Sequence, residues 1–383
     1  MKTKAYDVII VGAGPAGCSA ALQLTNLDPT LADRVLLLDK AVFPRSKLCA
    51  GGVTNEADLV LKQLGVEFEL PTKHVHLSKF VLPTGCLVFE QPSHFRVVRR
   101  DQFDHTLFRT VSNRGVVARD GVTVVDVVAT AEGVLVQTSN GSYQGQLVIG
   151  ADGANSTIRK SLELRRGPRL MIALELFAPF EGVSIPGLHD NMAIFDLSLT
   201  TRGVPGYCWV FPTAHEGPPM LSLGIMAAPF NKDDDAYQLK SAFSEWLAEQ
   251  GLESSRFEIK SHPALRYEPK APSSRYRIVL TGDASGIDPL FGEGITSALA
   301  LGRVAADAAF DALERSDFSF SGYEKRIRSS SIGRMMRRRR MLARRLYAKP
   351  RFGRRLLEYG PLVKWVALLR PKTAEGKTTW QPS

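Results

Sequence analysis

The chain has 383 residues, of which 44% are apolar and 23% charged, with a formal net charge of +10. That length suffices for two domains or one large α/β unit. No stretch of about 18 uncharged apolar residues occurs, which argues against a transmembrane helix, and the first strand opens too early to leave room for a signal peptide, so a cytoplasmic protein is expected. The charge is local. Between Lys325 and Arg355 lie 14 Lys or Arg and no acid, and the rest of the chain carries −4, so the basicity describes a tail. Cys18, Cys49, Cys86 and Cys208 are scattered without metal spacing, and the seven His show no pairing. No metal site is expected, and a reducing compartment suits the thiols.

In chain order, Val8–Val11 is an apolar run of the kind buried on both faces of a parallel sheet. Gly12, Gly14 and Gly17 follow at once, and a helical pattern begins. In that position Gly12 permits a tight turn, Gly14 lets backbone approach a pyrophosphate, and Gly17 allows close helix–strand packing. The second strand, 34–39, ends in Asp39, 22 positions after Gly17, where a carboxylate would accept the ribose hydroxyl. A dinucleotide site is predicted. A loop over 40–54 is longer than a connection requires. Next come a helix over 56–64, paired strands over 79–95 turning at Pro83-Thr84-Gly85, and a helix from Asp101 with that residue as N-cap. Strands are predicted at 123–128, 133–138 and 146–149. From about 170 to 265 the pattern becomes alternating strands with one helix at 235–249, which marks a second, sheet-rich domain. A buried strand at 276–280 and an Ala-rich helix from Gly294 to Leu313 complete the body.

Three glycine–acid sites thus follow apolar strands: Gly12–Gly17, Gly150–Gly153 and Gly282–Gly294. If their strands share one parallel sheet, all three point into one crevice. The helix opened at Gly294 would aim its N-terminus at a ring that becomes anionic on reduction, which suits a flavin better than a nicotinamide.

The ordered set GAGPAG, an acid ending the second strand, GADGANS and GDASGIDPLFGEGI resembles the FAD-dependent oxidoreductases of the para-hydroxybenzoate hydroxylase fold. Lys47-Leu48-Cys49-Ala50-Gly51-Gly52, Tyr207-Cys208-Trp209-Val210-Phe211-Pro212 and Arg100-Asp101-Gln102-Phe103-Asp104 narrow the resemblance to the geranylgeranyl reductase family, over about residues 5–320. It implies an α/β fold with a Rossmann-type FAD-binding domain (1–78, 96–169 and 266–320) and an antiparallel-sheet substrate domain (79–95 and 170–265); the C-terminal region (321–383) falls outside the resemblance and reads from its own residues as basic and helical. The resemblance further implies that Gly12, Gly14, Pro15, Ala16 and Gly17 hold the FAD pyrophosphate and that Asp39, with Lys40 beside it, holds the ribose. Arg100 and Asp283 would contact the pyrophosphate and ribityl region, Gly292, Gly294 and Ile295 would lie against the ring, and Asp152 would touch both FAD and a pyridine nucleotide. With no dedicated nicotinamide domain, NADPH or ferredoxin would be a transient donor.

Trp209 and Phe211 share one strand face, either in the core or lining a substrate tunnel. Cys49 is either a packed thiol or a group beside the substrate alkene, and Cys49, Tyr207 or water could supply the proton that alkene reduction needs. Lys47 reads as a loop charge or FAD neighbour, and Glu293 as a helix-start acid. The expected activity is reduction of carbon–carbon double bonds in an isoprenoid chain. The rivals are a monooxygenase or halogenase on the same fold, and a flavin-holding adaptor. The Arg-dense segment with Met, Leu and Tyr, followed by an apolar stretch over 360–369 containing Trp365, favours peripheral attachment to the inner face of a membrane over a partner-binding tail or nucleic acid.

Overall fold

The computed structural model describes residues 5–67, 69–164, 170–215, 217–230, 239–348 and 377–382. In chain order these form β1 (Ala5–Val11), α1 (Pro15–Leu27), β2 (Val35–Leu38), β3 (Gly52–Thr54), α2 (Asn55–Gln63), β4 (Thr72–Leu82), β5 (Gly85–Val98), α3 (Arg100–Asn113) and β6 (Val117–Arg119). The middle of the chain adds β7 (Val124–Ala129), β8 (Val134–Thr138), β9 (Gly141–Gly150), α4 (Thr157–Ser161), β10 (Leu170–Pro179), β11 (Met192–Asp196), β12 (Gly206–Pro212), β13 (Met220–Ala227) and α5 (Leu239–Glu249). The remainder is β14 (Lys260–Leu265), β15 (Ser274–Arg275), β16 (Ile278–Leu280), α6 (Gly294–Arg315), α7 (Tyr323–Ser329), α8 (Ser331–Tyr347) and β17 (Lys377–Pro382).

Two sheets organise these elements. The first runs β15-β16-β9-β1-β2-β6, with the β7–β8 hairpin extending from β9. Its β16-β9-β1-β2-β6 core is parallel, and every residue of β2 and β16 is buried, as strands covered on both faces must be. The three glycine–acid sites do end neighbouring strands of this one sheet. The second sheet runs β14-β10-β13-β12-β11-β4-β5-β17, with β3 on β5. It is antiparallel except where β11 runs beside β4. Period-2 alternation gives it two different faces. Cys208, Val210, Leu221, Leu223 and Ile225 face a cluster closed by Phe243 and Trp246 of α5, while Tyr207, Trp209 and Met226 face the first sheet.

The sequence misplaced several features. Arg99, not Asp101, caps α3, because Arg100 is already helical and bridges to Asp104 one turn on; Asp101 instead receives the Arg99 guanidinium. The expected domain boundary at residue 79 falls inside β4, whose pairing with β5 begins at Thr72. The strand expected to start at 276 starts at Ile278, since Arg277 adopts a left-handed φ of 62°. The predicted start of the helix at 235 and the apolar stretch 360–369 with Trp365 lie outside the described residues. The C-terminal region is not helical throughout: β17 adds an antiparallel strand to β5.

The largest correction concerns α8. Apart from Met341, its Met, Leu and Tyr residues turn inward. Ile332 and Met336 join the core beneath the first sheet, while Leu342, Ala343, Leu346 and Tyr347 pack with Leu87, Phe89, Tyr207 and Trp209 of the second. Tyr347 Oη donates to the Leu290 carbonyl at 2.9 Å. Each buried Leu or Met contributes about 1.5–3 kcal/mol, whereas an exposed ion pair contributes about 0–1 kcal/mol, so packing holds the helix. Leu346→Ala is therefore expected to lower unfolding stability by about 2–5 kcal/mol. Arg338→Ala, on the exposed side of the same helix, should change it by no more than about 0.5 kcal/mol. Chemical denaturation of the two variants checks this.

Candidate flavin and substrate site

A cavity of about 760 Å³ lies between the carboxyl ends of the parallel strands and the inward face of the second sheet. Gly12 turns with a φ of +101°, and a side chain there would meet the Ala151 carbonyl oxygen at 2.4 Å. Gly17 packs closer still, its absent Cβ lying 1.8 Å from the Gly12 carbonyl oxygen. Gly14 is open by contrast, with only the Arg45 guanidinium near, 3.7 Å from where a Cβ would sit. The late site is seated on the first one: a Cβ on Gly282 would meet Ala16 Cβ at 2.7 Å. All of the expected cofactor residues except Gly17 line this cavity, as do Cys49, Tyr207, Trp209 and Phe211. Asp39 closes the turn, its carboxylate accepting from the Ala13 and Ala41 amides at 2.7 and 2.9 Å.

The charge arrangement centres on Asp104, which sequence reasoning did not single out as a site residue. It is fully buried and accepts a two-pronged pair from Arg100 Nε and Nη2 at 2.9 and 2.8 Å, with Arg45 Nη2 also at 2.8 Å. Burial opposes the charge on Arg100, but Asp104 and the neighbouring Cys49 raise its pKa above the ordinary guanidinium value. Two cations thus share one anion beside Gly14, and Arg45 Nη1 is buried without a partner. An anion would complete this set. Lys47 donates from Nζ to His262 Nε2 at 3.0 Å. Burial lowers the Lys47 pKa although Asp283 opposes it, and burial, Lys47 and Arg100 push His262 down to about 4. Burial raises Asp283 and Asp152, and Asp152 Oδ1 has no partner.

The other wall is aromatic. Phe80 stacks on Phe195 at 4.8 Å, Phe211 meets Phe195 at 5.1 Å and Phe95 at 5.3 Å, and Phe291 closes against Tyr207 at 6.0 Å. Tyr207 donates its hydroxyl to the Phe291 carbonyl at 2.6 Å, and burial raises its pKa well above the usual phenol value. Trp209 lies across Gly224, where a Cβ would sit 2.1 Å from the indole. The turn opening α6 is held from the tail: Arg339 of α8 donates to Asp288 at 2.9 Å and to Glu293. Burial would raise Glu293, but Arg339 and hydroxyl partners bring its pKa below the ordinary value. Among the described residues no group of three His, Cys, Asp or Glu is placed to hold a metal.

Residues 45, 104, 175, 262 and 339 were missed. The i,i+4 spacing of Arg100 and Asp104 and the single acid in the apolar strand over 170–179 were legible signals; nothing local marks His262 or Arg339.

A glycine cradle at a helix N-terminus with an unpartnered arginine donor, backed by an apolar chamber, defines a flavin-dependent oxidoreductase. The model of the FAD binding domain matches residues 5–295, and the chain belongs to that family. It is 28% identical to digeranylgeranylglycerophospholipid reductase 2 of Methanopyrus kandleri over 82% of this chain and 80% of that protein. It is also 28% identical to the menaquinone reductase of Mycolicibacterium smegmatis, over 80% and 76%. A geranylgeranyl bacteriochlorophyll reductase-like protein from Thermoplasma acidophilum shares the fold with a TM-score of 0.76 at 20% identity, over 96% of this chain and 100% of that one.

The cradle fits FAD on its own geometry: Gly14 and the free Arg45 donor would hold the pyrophosphate, and Asp39 the ribose. A charge-assisted hydrogen bond contributes about 1.5–3 kcal/mol, so Arg45→Met is expected to weaken FAD binding roughly 10- to 100-fold. Arg100 keeps Asp104 paired in that variant, so the fold should survive. Quenching of flavin fluorescence on titration measures the effect.

Proposed function

We propose that the protein reduces carbon–carbon double bonds in the isoprenoid chain of a lipid or quinone, with electrons delivered to bound FAD by NADPH or a ferredoxin. The observation that carries the reading is the continuity of the flavin cradle with a chamber walled by Phe80, Phe95, Phe195, Trp209, Phe211 and Phe291. An isoprenoid offers no polar handle along its length, so a site for it must work by apolar burial and shape. The relatives named for a digeranylgeranyl lipid and for menaquinone, both carrying long apolar chains, support the same class. Bound FAD supplies hydride chemistry. The chain's own residues orient it, hold the alkene against the aromatic wall and keep water out.

Protein carrying two-electron-reduced FAD, mixed without oxygen with geranylgeranyl diphosphate, a digeranylgeranyl glycerolipid or menaquinone, should give a product two hydrogens heavier by mass spectrometry as the flavin turns yellow. Products that gain oxygen from labelled O2, or turnover that depends on halide, would replace this reading with the monooxygenase or halogenase one.

The reading includes attachment to the cytoplasmic face of a membrane, where anionic lipid and reducing conditions prevail. Arg334, Arg337, Arg338, Arg344 and Arg345 form one exposed stripe of α8 around the half-exposed Met341, on the helix that backs the chamber. Among the described residues no helix is long and apolar enough to cross a membrane. Near an anionic bilayer each basic residue contributes about 1 kcal/mol. Replacing Arg337, Arg338, Arg344 and Arg345 with Gln should weaken co-sedimentation with phosphatidylserine vesicles by about two to three orders of magnitude. Equal binding to neutral vesicles, or binding unmoved by the replacements, would refute the attachment.

A further inference from the structure

Glu175 is the single acid of β10, and it is buried to 2% exposure in the wall of the chamber. Alternation places it on the inward face with Met171 and Ala173, while Ile172, Leu174 and Leu176 pack against the opposite cluster. Its antiparallel partner on β13 is Gly224, over which the Trp209 indole lies. A hydrogen-bonded relay runs through this spot. Trp209 Nε1 donates to Ser222 Oγ at 3.0 Å, and Ser222 Oγ donates to Glu175 Oε1 at 2.6 Å. An indole N–H can only donate. Ser222 therefore accepts from Trp209 and spends its own hydrogen on Oε1, which leaves Oε2 to carry the proton of a neutral Glu175.

We propose that Glu175 is the acid that protonates the alkene, with Ser222 and Trp209 as positioning residues; this rests on the reductase reading above. Bound FAD, once reduced, would supply hydride to one alkene carbon. The O–H bond of Glu175 would break as a C–H bond forms at the other carbon, so that the alkene gains two electrons from the reduced cofactor and a carboxylate remains until water reprotonates it. The chemistry of the wall supports this choice. Burial pushes Glu175 up to about 7, against the pull of Ser222 and Arg100, so the acid is half neutral at that pH and largely neutral below it. Tyr207 is a poorer donor, its hydrogen being held by the Phe291 carbonyl. Other charged or titratable groups face this wall. On β14, His262 receives Lys47 and Lys260 pairs with Glu258 at 3.1 Å; from the facing elements come Arg100, held by Asp104, then Cys49, whose Sγ accepts from the Gly51 amide at 3.4 Å, and Asp283, a carboxyl that burial also raises but that lacks the Ser222–Trp209 relay.

The test uses the full-length holoprotein, reduced and kept from oxygen, with geranylgeranyl diphosphate as the probe. Glu175→Gln should slow alkene-driven flavin reoxidation by about 10²–10⁴-fold, with FAD affinity within about twofold of wild type. The wild-type rate should fall above about pH 7, as the acid ionises, and Glu175→Gln should lose that alkaline limb. Ser222→Ala removes a hydrogen bond that favours the charged form, so it should move the limb to higher pH. In substrate-free protein, the infrared difference between wild type and Glu175→Gln should show a protonated-carboxyl band that titrates over the same range. A wild type that the alkene fails to reoxidise would overturn the reading of the site and this assignment with it. A wild type that turns over while Glu175→Gln keeps pace, or an infrared difference without that band, would overturn the assignment alone.

Discussion

One buried carboxylate carries the geometry of the site. Asp104 grips Arg100 from its own helix and Arg45 from the long loop that follows the second strand. Removing either partner of such a buried pair leaves an uncompensated charge, which is far costlier than losing an exposed salt bridge. The grip therefore fixes the loop onto α3, and with the loop come Lys47 and Cys49. It also leaves the cluster one positive charge in excess beside Gly14, with Arg45 Nη1 unsatisfied. A buried donor without a partner costs about 1–3 kcal/mol, and a pyrophosphate oxygen would relieve that cost. The cradle is built as half of an ion pair whose other half is the cofactor.

The second sheet supplies the apolar counterpart through strand alternation alone. Along β12, Tyr207, Trp209 and Phe211 face the chamber while Cys208 and Val210 face α5. A slip of one residue would exchange the two sets. Gly224 fits this scheme, since a side chain there would occupy the volume of the Trp209 ring. Within so apolar a wall a lone carboxyl cannot ionise cheaply, which is why Glu175 stands out chemically once its neighbours are known.

The Arg-rich helix shows how composition and position divide the work. Its charge density suggested an appendage, yet its apolar residues recur at helical spacing and cover the back of the chamber. Arg339, one of the run, turns inward to Asp288 and Glu293 and braces the turn that opens α6. Arg340 pairs with Glu268, and the other arginines of the helix stay outside as a stripe. One helix thus closes the core on one side and presents a basic surface on the other.

The flavin cradle was legible in the sequence because its requirements are local: a glycine where φ is positive at 12, a glycine where chains touch at 17, an acid at the end of the next strand. The alternation at 207–211 likewise announced a two-faced strand, and the three glycine–acid sites announced one crevice. What stayed hidden depends on partners distant in the chain. Asp104 acquires its role only when the loop bearing Arg45 folds against it, Glu175 only when Ser222 and Trp209 of two other strands align with it, and Arg339 only when its helix packs beneath the α6 turn. Backbone conformation is dictated by neighbours in sequence, whereas burial and charge pairing are dictated by neighbours in space, and these only the tertiary structure decided.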